Sequence, residues 1–302
     1  MAPKNRSSTN KRRPLALLTA LWFLVLAPSP APARCPLSGP LPENSSDAWI
    51  DPVGSTIESR FRVPPGFARV QVEADSFAAY LRRLPLKPHP ALVRLYDGRI
   101  KTNADIYDAV VDLAIGDKDL QQCADAVIRL RAEYLYRQGR FGEIHFNFSN
   151  GFRADYSEWM RGKRIVVQGN RAHWTQAHGP ANAYRDFWAY LEAVFSYAGT
   201  RSLAGELKPA RLADLQIGDV FIQGGSPGHA VIVVDLAVDS QAGATVFLLA
   251  QSYMPAQEIQ ILRNPGSGRQ GKGPWYAVDF GATLATPEWI FSRDDLKRFA
   301  EP

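Results

Sequence analysis

The stretch from Gly218 to Asp235 constrains the fold more than any other. Asp219-Val220-Phe221-Ile222-Gln223 is a short apolar strand, Gly224-Gly225-Ser226-Pro227-Gly228 a glycine turn, and His229 then heads the long run Ala230 to Asp235. β-Branched residues bounded by Gly and Pro read as strands. Thr245–Gln251 and Glu258–Leu262 repeat the pattern. Four strands with short connections predict an antiparallel sheet in the last third of the chain.

The first two thirds of the chain are more helical. Leu120, Cys123, Ala124, Val127, Leu130, Tyr134 and Leu135 recur at three- and four-residue spacing, which predicts a helix closed at Gly139. Asp117 or Asp119 is the expected cap. Further helices are expected over Ser76–Leu84, Tyr156–Met160 and Tyr184–Tyr197. Short strands are expected at Arg69–Val72, Leu92–Tyr96, Ile144–Phe148 and Arg164–Gln168. Helices followed by a sheet make an α+β plan.

Residues 1–33 read as an export signal: five basic residues and no acid, an apolar run over Leu15–Ala27, and Ala31-Pro32-Ala33 as a cleavage signal. This places the mature protein in the periplasm or outside the cell, by general secretion rather than the twin-arginine route. Arg34 before Cys35 argues against a lipoprotein. The whole chain carries a formal net charge of +5, and the five signal cations account for all of it. No nucleic-acid partner follows. Residues 34–59 have turn composition and read as a flexible linker, and residues 60–302 as one domain. Outside the signal no apolar run is long enough to span a bilayer, so the expected membrane contact is confined to export.

Cys123 and His229 carry the expected chemistry. A thiol attacks as thiolate, and a helix N-terminus and an imidazole are the usual means of activating it. The imidazole needs an orienting group. A hairpin turning near Ser240 sets Gln251 opposite His229, with Ser252 as its rival. Gln122, with Gln121 and the Cys123 amide, is the expected oxyanion donor.

The run Gly218 to Ile232 resembles the second half of NlpC/P60 and related papain-like amidases, which cleave amide bonds in bacterial cell walls. The wider sequence resembles a bacterial family known as domain of unknown function 4846, over roughly residues 60–300. That likeness is carried by Asp119-Leu120-Gln121-Gln122-Cys123-Ala124-Asp125-Ala126, Tyr197-Ala198-Gly199-Thr200, Gly224 to His229, and Leu249 to Gln257. The first resemblance implies a papain-like core and a cysteine hydrolase acting on a cell-wall peptide or other envelope amide. Where NlpC/P60 sequences have Asp-Cys-Ser/Ala-Gly, this chain has Gln122-Cys123-Ala124-Asp125.

Plainer readings stand beside these. Cys123 shares a face with Leu120 and Val127, as a small core residue would, or bridges to Cys35. Gly225, Ser226, Ser252 and Trp275 are the expected substrate contacts, Trp275 and Trp174 because they sit in glycine-rich or polar stretches. The same cleft in a non-catalytic protein would bind glycan or peptide. His145, His173 and His178 lack ligand spacing, and Gly266-Ser267-Gly268 lacks a following Lys-Ser/Thr. Neither metal nor cofactor is expected.

Overall fold

The computed structural model describes residues 49–266 and 273–300. The expected signal, Cys35 and most of the expected linker lie outside them. The fold is α+β with a mostly antiparallel sheet. Six α-helices are described: α1 Ile57–Arg60, α2 Phe77–Arg82, α3 Cys123–Arg137, α4 Tyr156–Met160, α5 Tyr184–Tyr197 and α6 Thr200–Glu206. The early strands are β1 Ala68–Arg69, β2 Tyr107–Val110, β3 His145–Asn147, β4 Arg153–Asp155, β5 Lys163–Gln168, β6 Arg171–Gln176 and β7 Lys208–Pro209. Those of the last third are β8 Val220–Gln223, β9 His229–Val238, β10 Thr245–Gln251, β11 Gln260–Leu262, β12 Tyr276–Ala277, β13 Thr283–Ala285, β14 Ile290–Ser292 and β15 Leu296–Arg298.

One sheet of nine strands dominates, in the order β2-β11-β10-β9-β8-β15-β7, with β1 on β9 and β12 on β10. Its centre is apolar on both faces, because alternate residues of a strand point to opposite sides. Val220, Ile222, Ala230, Ile232, Leu248 and Ala250 face the larger core, with Val127 and Leu130 of α3. Phe221, Val231, Val233, Phe247 and Leu249 face a second core with Phe291 and Leu284. By this alternation His229 belongs with Val231 and Val233, on the second face.

Helix α3 begins three residues later than a cap at Asp119 implies, and Cys123 is its first residue. Asp119 is engaged elsewhere: its Oδ1 accepts from the Ala256 amide (2.6 Å) and from Gln122 Nε2 (3.2 Å). Gln122 is the N-cap residue instead, and its amide donates to Asp125 Oδ2 at 3.0 Å. The thiol therefore sits at the helix mouth rather than inside the helix.

The expected linker reaches too far. Ile57 and Phe61 are fully buried, and the buried Arg60 donates from Nε to the Gly54 carbonyl (2.8 Å), so residues from Trp49 onward belong to the folded body. Leu92–Tyr96 forms isolated bridges, Arg94 with Ile100 and Leu95 with Gln257, in place of a strand. Strand β6 and helix α6 were not expected. The first has only Ala172 and Trp174 turned to the core on one face, and the second has only Leu203 buried among its apolar residues, so neither carries a long periodic apolar signal. Among the described residues no helix is long and apolar enough to cross a membrane.

Candidate functional site

Cys123, at the first position of α3, and His229, at the first position of β9, line one cavity of about 690 Å³. Two more elements close it. The Gly224–Gly228 loop folds onto the start of α6, where Thr200 Oγ1 is 3.2 Å from the Gly225 carbonyl and 3.3 Å from its amide. A Cβ on Gly228 would stand 2.7 Å from the Gly225 carbonyl and 2.8 Å from that of Gln223. Only glycine allows this approach. The fourth wall is Tyr253, Met254 and Trp289.

The register explains how His229 meets Gln251. Strands β9 and β10 pair with Thr245 on Val238 and Leu248 on Asp235, but beyond Leu248 the pairing slips to Leu249 on Val233. Val234 is the extra residue of this bulge. The hairpin turns later than a centre at Ser240 implies, so Gln251 is not directly opposite His229. The slip brings it onto the same face, one diagonal step away. His229 Nε2 lies 2.8 Å from Gln251 Oε1. The Gln251 amide nitrogen donates to Glu288 Oε2 at 2.5 Å, and Glu288 pairs with Lys101 at 2.8 Å.

The imidazole is 1 % exposed and sheathed by rings: Tyr253 at 4.9 Å, Trp289 at 5.4 Å and Phe291 at 6.0 Å between centroids. Burial lowers its pKa to about 4; the Gln251 bond opposes this and the Lys101 charge adds to it. Cys123 is a half-buried free thiol. Burial, then the Asp125 carboxyl, push it up to about 11, against the pull of the Ala124, Ala230 and Cys123 amides. Asp125 is buried, and desolvation raises it to about 8 against the Gln122 amide bond. Near neutral pH the thiol and the imidazole are thus both uncharged.

Other expected contacts distribute unevenly. Gln122, Gly225 and Ser226 line the cavity. Ser252 does not: it is fully buried, and its hydroxyl sits between the carbonyls of Gln121 (3.1 Å) and Gln257 (2.6 Å). Trp275 is corrected from an exposed residue to a fully buried one, donating from Nε1 to the Arg62 carbonyl at 2.8 Å. Gly273, two residues before it, stands directly against Trp49. The tryptophan at the cavity is Trp289. Tyr253 and Glu288 were missed. Tyr253 lies two residues past Gln251, which is a usable signal; nothing in the sequence around Glu288 points to the site. No group of residues able to hold a metal ion occurs among the described residues.

The model of the family described as domain of unknown function 4846 matches residues 57–298. The chain belongs to this family. No curated protein and no solved structure matches it. The match spans the second core, all of the larger one but Ile50, the loop on α6 and every residue of the cavity wall.

Proposed function

We propose that this member of the family is a papain-like thiol hydrolase of amide bonds, with an envelope peptide as its substrate. The observation that supports it best is that a thiol at a helix start and an imidazole held by an amide line one open cavity. The chain order Cys123, His229, Gln251 is that of papain-like hydrolases. As Cys123 Sγ attacks the carbonyl carbon, the imidazole takes the thiol proton. The oxyanion is held by amides at the mouth of α3, whose first N–H groups have no partner within the helix, with Gln122 beside them. Collapse of the adduct expels the amine, which takes the proton back. Water then hydrolyses the thioester and restores the thiol.

The resting pair is neutral, so the imidazole acts as a general base during attack rather than storing a thiolate beforehand. Besides Asp125, which holds its proton near neutral pH, the described residues of the cavity wall carry Asp119 and no Lys or Arg, which favours uncharged or amine-bearing ligands over carboxylates and phosphates. Export through residues 1–33 would bring the enzyme to such substrates.

Alkylation of the native protein with iodoacetamide, followed by peptide mass spectrometry, tests this together with an assay on cell-wall peptides. Cys123 is expected to be modified, and Cys123→Ala to lose both labelling and turnover with unchanged circular dichroism. A native thiol inert to alkylation sinks the mechanism. The neutral resting pair also suits a second reading, a non-catalytic protein that binds peptide or glycan in the same cavity. That reading expects binding to survive Cys123→Ala without turnover and to be lost on Trp289→Ala.

A further inference from the structure

Behind Gln251 lies a polar chain that runs through Glu288 to Lys101. Gln251 Nε2 donates to Glu288 Oε2 at 2.5 Å. Lys101 Nζ donates to both oxygens of the same carboxylate, at 2.9 and 2.8 Å, and to Gln257 Oε1 at 2.9 Å. The Lys101 side chain is 8 % exposed and that of Glu288 17 %, while Gln251 is 1 % exposed. Three residues far apart in sequence thus meet with little water to compete for their hydrogen bonds.

A primary amide presents two different ends, a carbonyl that accepts and an NH2 that donates. On its own, Gln251 could offer either to the imidazole. A carboxylate paired with a lysine only accepts. Glu288 therefore forces the NH2 of Gln251 toward itself and the carbonyl toward His229. Facing a carbonyl, His229 Nε2 must carry the proton, and Nδ1 is left with the lone pair. Lys101 in turn, by donating to both oxygens of Glu288, fixes where they point.

We infer that Glu288 and Lys101 are positioning residues that lock His229 in the Nε2–H tautomer through the Gln251 amide. The inference rests on the proposed thiol chemistry for its purpose, since that chemistry needs one ring nitrogen unprotonated. It does not rest on it for its test. Neither residue lines the cavity itself, although Lys101 Nζ stands 5.3 Å over the Tyr253 ring that does.

The test is nitrogen-15 NMR of labelled full-length protein above pH 6, where the imidazole is neutral. In the wild type, His229 should show a protonated-type Nε2 and an unprotonated-type Nδ1. The variant is K101M/E288L, which removes both charges together and replaces them with apolar groups of similar size, so that no lone buried charge remains. With nothing to orient it, the amide should turn, and the Nδ1–H tautomer should appear as a substantial fraction. Adding Gln251→Glu to that background supplies a carboxylate directly and should restore the single Nε2–H form, a rescue that a merely structural role would not give. Should K101M/E288L fail to fold, Gln251→Glu alone must show the Nε2–H form and Gln251→Leu must lose it. A wild-type His229 with Nδ1 protonated overturns the inference, as does a K101M/E288L spectrum identical to wild type. Locked tautomers in a protein that cleaves nothing would instead leave this inference standing and sink the hydrolase reading.

Discussion

At the scale of single residues, Asp125 adds to the burial that keeps the Cys123 thiol protonated. Its Oδ2 caps the helix start at the Gln122 amide, while its Oδ1 is buried without a hydrogen-bond partner. A carboxyl so placed prefers its neutral form, which is the direction of its shift from 3.8 to about 8. The folded protein therefore holds a proton that the unfolded chain releases above about pH 4. The stability this gives is complete below the ordinary carboxylate range and is lost as pH rises toward 8, at up to about 1.4 kcal/mol per unit. Asp125→Asn keeps an oxygen for the Gln122 amide and removes the titration. Urea unfolding of the variant should show a flatter stability profile between about pH 4 and 8 than the wild type. Because the carboxyl also raises the thiol, the variant should alkylate faster than wild type above about pH 8. Identical alkylation rates in the two proteins there would remove Asp125 from the electrostatics of Cys123.

At the scale of elements, the site depends on where α3 and β9 begin, and boundaries are what the sequence shows least well. Leu120, Val127 and Leu130 announce α3 by their spacing, but its first residue was settled by Ala256, which takes the Asp119 carboxylate from 137 residues away. The strands β9 and β10 were legible as apolar runs. Their register was not, since the bulge at Val234 leaves no mark in a row of valines. The Gly224–Gly228 turn was legible as a turn; that it packs on α6 was not, because α6 has too few apolar residues to be seen. Gly228 joins these pieces. An alanine there would push into the Thr200 hydroxyl and two carbonyls at once. Two of those groups are backbone and cannot swing aside, so the loop must move, at a cost of about 1–3 kcal/mol by analogy with overpacking. Gly228→Ala should lower the melting temperature and, by displacing Gly225 and Ser226, weaken any ligand of the cavity. Unchanged melting and unchanged binding together would show that the loop yields freely.

At the scale of the whole molecule, the N-terminal segments are tied to the middle of the sheet by a buried charge cluster that composition alone did not reveal. Asp235 of β9 is fully buried between Arg69 Nε at 2.6 Å and Arg82 Nε at 2.7 Å. Arg69 belongs to β1, which pairs with β9, and Arg82 closes α2, so one carboxylate fastens two elements to the central strand. Its Oδ1 also accepts from the Leu236 amide at 2.9 Å, beside the bulge that aligns His229 with Gln251. Seen in sequence, Asp235 merely ends an apolar run; its partners lie 166 and 153 residues upstream. Removing one member of a buried pair leaves the other charge uncompensated, which costs about 3–5 kcal/mol. Asp235→Ala should therefore destabilise far more than Asp97→Ala, whose carboxylate pairs with the exposed Arg99 at the surface. Hydrogen exchange would locate the loss: amides of β1, α2 and the β9 bulge should open first, and those of α5, which does not touch the cluster, last. Uniform loss of protection would instead mean that Asp235 supports the sheet as a whole rather than fastening the N-terminal segments to it.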